Sequence, residues 1–277
     1  MLRLLGGVQA PGSRETPGPG AVPACPPGWR TGPPDFVGLA AKKAGTTWWH
    51  DLIVSHPEIH RREPAVPGSI PARVKEVHFF QVHWNNGFSE ADAHRYHQYF
   101  PRPPGRRVGE WTPRYLLDYW TPSQLRIAAP DAKLLVLVRD PLERFCSSVT
   151  HYLFRHGFLE HPRAIVEEVE YGRYAAGLER LLRHFPREQV LVLQYERCVR
   201  QPEVELAATY RFLGLENTEF VPSTIERRLG AARAEKINLP DELRAELLAE
   251  YEPDVQRLAT AWPEVDLGMW RNFAHLA

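Results

Sequence analysis

The sequence is short of cysteine. Its three thiols in 277 residues, Cys25, Cys146 and Cys198, lie far apart along the chain. They make neither a disulfide framework nor a cysteine-bound metal cluster, so reduced thiols in a cytosol-like compartment are expected. Long apolar runs are missing too. None approaches the ~20 residues of a membrane-spanning helix. The opening MLRLLGG has too short an apolar core for a secretion signal, and no cleavage pattern follows it. These absences together predict a cytoplasmic protein. Net charge is also lacking, since 34 Lys and Arg balance 34 Asp and Glu. The field of the whole molecule gives no reason to expect nucleic acid or an acidic membrane as partner, and any basic site must be local. Lysine is scarce, confined to Lys42, Lys43, Lys75, Lys133 and Lys236.

What is present suits a globular α/β chain: 43% of residues are hydrophobic and 25% charged. Residues 1–34 are rich in Pro and Gly and cannot bury enough surface to offset their ordering entropy, so a disordered or extended arm is expected there. There is no internal repeat. From Asp35 onward strands and helices alternate. DFVGLA (35–40), RVGEW (107–111), AKLLVLV (132–138) and QVLVLQY (189–195) read as strands, the third buried on both faces as in a parallel sheet. Helices are predicted over 46–55, 121–129, 174–185, 202–215 and 240–262, the last bent at Pro253. Two carry start signals: Thr121 with Pro122 and Gln124, and Asp140 with Pro141 and Glu143. The expected fold is α/β, a single P-loop-type domain over 35–277, with a central parallel sheet flanked by helices. The oligomeric state stays open.

The first strand leads into KKAGTTWW (42–49). Backbone N–H groups at a glycine turn, followed by a helix N-terminus, form an anion site. Lys43 adds a mobile charge, and Thr46 and Thr47 add hydroxyls. The plainer reading is a solvated turn. Lys43 precedes Gly45, whereas the nucleoside triphosphate loop places Lys and then Ser/Thr after its last glycine to serve magnesium. A second strand-to-helix junction, LVLVRDPLERFCSSVTHY (135–152), sets Arg139 at a strand end and Ser147 about two turns into the next helix. Strand ends are where open α/β sheets bind ligands, and an arginine fork with a hydroxyl clamps a terminal phosphate. The alternative there is a local pair between Arg139 and Glu143.

The order K-x-G-T-T-W, with the Arg139–Ser147 junction, resembles the sulfotransferases that use 3′-phosphoadenosine 5′-phosphosulfate (PAPS). The pattern is similar to both the heparan sulfate and the bacterial members. The resemblance covers about residues 36–215. It implies PAPS as co-substrate, bound by Lys43, Ala44, Gly45, Thr46 and Thr47 on the 5′ side and by Arg139 and Ser147 at the 3′-phosphate. Trp48 matches a tryptophan that stacks on adenine in cytosolic members. VKEVHFFQ (74–81) resembles the segment of heparan sulfate 3-O-sulfotransferases whose glutamate is the catalytic base. That implies Glu76 as base, with His78 as its rival and Lys43 at the leaving oxygen. In an extended segment Glu76 and His78 face one side, and Phe79 and Phe80 bury the stretch, which leads us to expect a raised Glu76 pKa. GEWTP (109–113) departs from the family's Glu-Lys-Thr-Pro by placing Trp111 where the lysine stands. One positive charge is lost, and Trp111, Trp84 and Tyr115 suggest aromatic cleft walls instead. ERRLGAARAEK (226–236) falls where the family closes a lid on the 3′-phosphate; Arg227, Arg228, Arg233 and Lys236 are its candidates, of which Arg228 and Arg233 are taken as binding residues. No metal is implied. The partner is a hydroxylated acceptor: a small molecule, natural product or glycan. The alternatives are a P-loop small-molecule kinase, with Asp140 as its magnesium acid, and a nucleotide-binding protein without catalysis.

Overall fold

The structure is a computed structural model that describes residues 19–63, 75–84, 87–156, 162–226 and 236–277. Four strands form one parallel sheet in the order β2-β1-β3-β4: β1 (Phe36–Ala40), β2 (Gly109–Trp111), β3 (Lys133–Val138) and β4 (Val190–Gln194). β1 pairs Phe36 with Gly109 on one side and with Lys133 on the other, and β3 pairs Leu134 with Val190. Every residue of β1 and β2 is buried, as parallel strands covered on both faces require. Gly38 is obligatory in this layer: a Cβ there would sit 2.0 Å from the Trp111 ring.

α1 (Thr46–Ile53) follows β1, and α2 (Glu90–His97) precedes β2. α3 (Thr121–Ala128) leads into β3 and α4 (Pro141–His156) leaves it. α5 (Pro162–Glu170) and α6 (Tyr174–Leu181) come next. α7 (Tyr195–Arg200) and α8 (Pro202–Leu213) follow β4, and α9 (Asp241–Ala261) runs through Pro253 as one helix. Ser89 and Asp92 form a reciprocal capping box on α2. Gly214 ends α8 in the left-handed conformation. Residues 19–34 lie as an arm on the 96–102 region; Tyr99 donates to the Gly20 carbonyl and Arg30 pairs with Arg102. Among the described residues no helix is long and apolar enough to cross a membrane.

Two expectations about helices are corrected. Thr121 does not cap α3: Trp120 holds the cap position without a side-chain bond, and Gln124 instead donates to the His83 carbonyl at 2.9 Å. α5 lies outside every helix read from the sequence. Its Ile165 and Val166 remain 37% and 62% exposed, and only Val169 of its described apolar residues packs against the core.

Candidate active site

The carboxyl ends of β1, β2 and β3 open on one place, and each contributes a loop. After β1 the chain turns through Lys43 (φ 65°) and Gly45 (φ 90°), both left-handed, into α1. Gly45 is required twice over. Its φ suits glycine, and a Cβ would lie 2.8 Å from the Tyr195 ring. α1 starts without a side-chain cap. Its first N–H groups therefore point out of the helix with no acceptor supplied by a cap. Lys42 is drawn sideways onto Glu168 of α5, which also binds Arg144.

After β3, Asp140 caps α4, accepting from Leu142 N at 3.0 Å and Glu143 N at 3.1 Å. Both its oxygens also take hydrogen bonds from Asn272. Arg139, beside it, reaches back to the first loop: its Nη1 donates to the Lys43 carbonyl at 3.0 Å. The guanidinium lies 4.7 Å over the Tyr195 ring, and Glu143 is 4.0 Å away. The local pair with Glu143 is thus at the edge of contact, and Glu143 is engaged by Lys236. Arg139 Nε is buried without a hydrogen-bond partner among the described residues. Ser147 lies buried on α4, 8% exposed.

β2 brings the third loop. Glu110 is fully buried, and its carboxylate accepts from Val77 N (3.0 Å), Thr112 Oγ1 (2.6 Å) and the Tyr96 hydroxyl (2.6 Å). Tyr115 accepts from Phe79 N at 2.9 Å. These bonds fix residues 77–79, where His78 takes φ 57°. Glu76 and His78 do share one side, yet by this fixed kink and not by extended alternation. His78 Nε2 is 3.0 Å from Glu76 Oε2, and Lys75 Nζ is 2.8 Å from Glu76 Oε1. Lys75 is itself 3% exposed and donates to Thr46 Oγ1 at 3.2 Å and to the Trp111 carbonyl at 3.3 Å.

Three site expectations change. Phe79 and Phe80 are buried as expected. Burial does push the Glu76 carboxyl up, but Lys75 and His78 pull it down harder and leave it at about 2. Trp111 and Tyr115 are core residues with no exposure, Trp111 bonding the Ala40 carbonyl at 2.9 Å, so they are not cleft walls; only Trp84 of the three is exposed. Trp48 is also covered, 2% exposed, with its Nε1 on the Ile225 carbonyl at 3.3 Å. Thr47 stands half-buried in the first turn of α1. Arg227, Arg228 and Arg233 lie outside the described residues. Lys236, at the end of that stretch, meets Glu143 close to Arg139. Sequence reading missed Lys75 as a site residue and Tyr195 as the platform under Gly45 and Arg139. Tyr195 was findable, because it stands at a strand's carboxyl end.

A cavity of about 360 Å³ adjoins these loops, lined by Ala40, Pro113, Leu116, Tyr119, Tyr174 and Arg180 among others. Lys43, Glu76, His78 and Arg139 are not among its lining residues, but two of the lining residues connect it to the loops. Ala40 is the last residue before the first loop, and the Tyr174 hydroxyl donates to the Arg139 carbonyl at 2.9 Å. Its size lies in the range of ligand pockets.

Residues 33–236 match the sulfotransferase domain family. The chain is 30% identical over 212 residues to human heparan sulfate glucosamine 3-O-sulfotransferase 6, covering 72% of this chain and 57% of that one. It is 28% identical over 197 residues to human heparan sulfate glucosamine 3-O-sulfotransferase 3B1, covering 66% and 46%. The chain thus spans about half the length of the curated relatives it matches. A sulfotransferase structure from Alicyclobacillus acidocaldarius superposes with TM-score 0.65 at 28% identity, covering 86% of this chain and 98% of that one. This chain belongs to the sulfotransferase domain family.

Proposed function

We propose that the protein transfers the sulfuryl group of PAPS to a hydroxyl of a small molecule, natural product or glycan. The carrying observation is the bond from Arg139 to the Lys43 carbonyl, which joins the two phosphate motifs into one site. The residues fit such a donor. α1 begins uncapped, and Arg139 Nε is buried without a partner among the described residues. The N–H groups of Gly45, Thr46 and Thr47 cradle the 5′-phosphosulfate, while Ala44 N holds the turn by donating to the Ala41 carbonyl at 3.1 Å, and Arg139 with Ser147 holds the 3′-phosphate. The donor supplies an activated sulfur whose bond to the phosphate oxygen breaks as the acceptor oxygen attacks. Lys43 stabilises charge on the departing oxygen. Glu76 accepts the hydroxyl proton, and His78 orients its carboxylate. The products are a sulfate ester and adenosine 3′,5′-bisphosphate.

The acceptor lies in the cavity beside Ala40 and Pro113, in this reading. The heparan sulfate glucosamine relatives keep a glycan in view, and the tyrosines of the cavity suit sugar and phenol rings alike. The test has two parts. Arg139→Ala is expected to weaken adenosine 3′,5′-bisphosphate binding at least about tenfold, since bonds to charged groups contribute ~1.5–3 kcal/mol each. An analogue lacking the 3′-phosphate should lose much less; equal losses place Arg139 elsewhere. Labelled PAPS with a panel of hydroxylated acceptors should yield sulfate ester in excess EDTA. Activity lost to EDTA and restored by magnesium would favour the kinase.

A further inference from the structure

We propose that Lys75 is a positioning residue of this site, a buried strut that fixes the proton acceptor Glu76 against the phosphate loop. The inference rests on the sulfuryl-transfer reading. An ammonium has three N–H donors and no acceptor. At Lys75 all three are used: on Glu76 Oε1 at 2.8 Å, Thr46 Oγ1 at 3.2 Å and the Trp111 carbonyl at 3.3 Å. These partners come from three segments, the 75–79 stretch, the first residue of α1 and the end of β2. One side chain, 3% exposed, therefore sets the distance between the base and the loop.

The chemistry of each bond has a consequence. Because an ammonium only donates, the Thr46 oxygen accepts, and the Thr46 hydroxyl hydrogen is turned away from Lys75. On the other side, Lys75 occupies Oε1 of Glu76 while His78 meets Oε2 at 3.0 Å. The carboxylate is held by both oxygens and cannot swing. A flexible surface lysine would do none of this. Lys75 is buried, and low exposure makes each of its bonds to a charged or polar group strong.

A double-mutant cycle tests the strut. Lys75→Met is expected to lower kcat about 30-fold or more, with adenosine 3′,5′-bisphosphate affinity within about threefold of wild type. In the Glu76→Gln background the same change should cost less than about threefold, because Lys75 acts through Glu76. Carbon NMR of the Glu76 carboxyl should show its titration displaced to higher pH in Lys75→Met relative to the wild type. Equal losses in both backgrounds, or kcat within threefold of wild type in Lys75→Met, would overturn the inference. So would a fall that merely follows the fraction of molecules able to bind bisphosphate. If Lys75→Met does not fold, Lys75→Gln, which removes the charge but keeps a polar group, takes its place in both backgrounds. It must then lower kcat at least about tenfold with Glu76 present, and a loss confined to bisphosphate affinity would sink the proposal. A wild type that binds bisphosphate but transfers no sulfuryl group to any acceptor would instead count against the functional reading.

Discussion

Glu76 and Asp118 are carboxylates in poorly hydrated surroundings, and their neighbours push them in opposite directions. Burial raises both. At Glu76 an ammonium and an imidazole, each within hydrogen-bond distance, win and leave the carboxyl at about 2. At Asp118, 3% exposed, burial wins over Arg114, and the carboxyl rises to about 6. Arg114 Nε reaches only Oδ1, at 3.0 Å, and Oδ2 is buried without a partner among the described residues. The linkage follows from the signs. Glu76, lowered, stabilises the fold above its unfolded value and loses that only as pH falls toward 2, so it gives no limb in an activity profile above pH 4. Asp118, raised, binds its proton more tightly when folded. Its contribution is complete at acid pH and is lost as pH rises through about 6. A rise of that size above the ordinary aspartate value corresponds to about 2–3 kcal/mol. Urea unfolding at pH 4.5 and 7.5 should therefore show the wild type losing about that much relative to Asp118→Asn on going to the higher pH. A difference between the two proteins that does not change with pH would refute the assignment.

At the scale of elements, one arrangement recurs: a buried strand, a loop at its carboxyl end and a helix that begins there. Its parts were legible in the sequence to different degrees. The strands were plain, because both faces are covered and the apolar runs are continuous. Gly45 and the Asp140 cap were plain too, since each sits at a junction whose local chemistry demands that residue type. Lys75 was hidden, because its role depends on Thr46 and Trp111 arriving from segments far apart in the chain. Trp111 and Tyr115 were misread as cleft walls, because composition does not tell which side of a strand end an aromatic ring faces. The same junctions shape the cavity, which α6 closes with Ala176 on its wall. Filling it should separate acceptor from donor. Ala176→Trp is expected to raise the acceptor KM about tenfold or more while bisphosphate affinity stays within about twofold. An unchanged acceptor KM would move the acceptor out of this cavity.

At the scale of the whole molecule, the far end of the chain braces the site. The stretch after α9 packs on the carboxyl ends of β3 and β4. Gln194 and Asp266 exchange hydrogen bonds at 2.8 and 3.0 Å. Trp270, with no exposure, donates to Glu196 Oε2 at 2.9 Å, and Glu196 Oε1 accepts from Asp140 N at 3.0 Å. Asn272 completes the ring, donating from N to Asp140 Oδ2 at 3.0 Å and from Nδ2 to both Asp140 oxygens. Asp140 is the residue after Arg139, so this network holds Arg139 from behind. It also explains why Asp140 is a poor magnesium ligand: its oxygens are committed to the α4 cap and to Asn272. Asn272→Ala removes the side-chain donors and leaves a buried carboxylate short of partners, a loss of about 1–3 kcal/mol. For a domain of this size that lowers Tm by roughly 3–10 °C. The functional consequence is specific. If Arg139 holds the 3′-phosphate as proposed, bisphosphate affinity should fall about threefold or more, while an analogue without the 3′-phosphate binds as it does to the wild type. Thermal unfolding and titration of both ligands decide it, and equal losses for the two would mean that the brace supports the fold alone and not the position of Arg139.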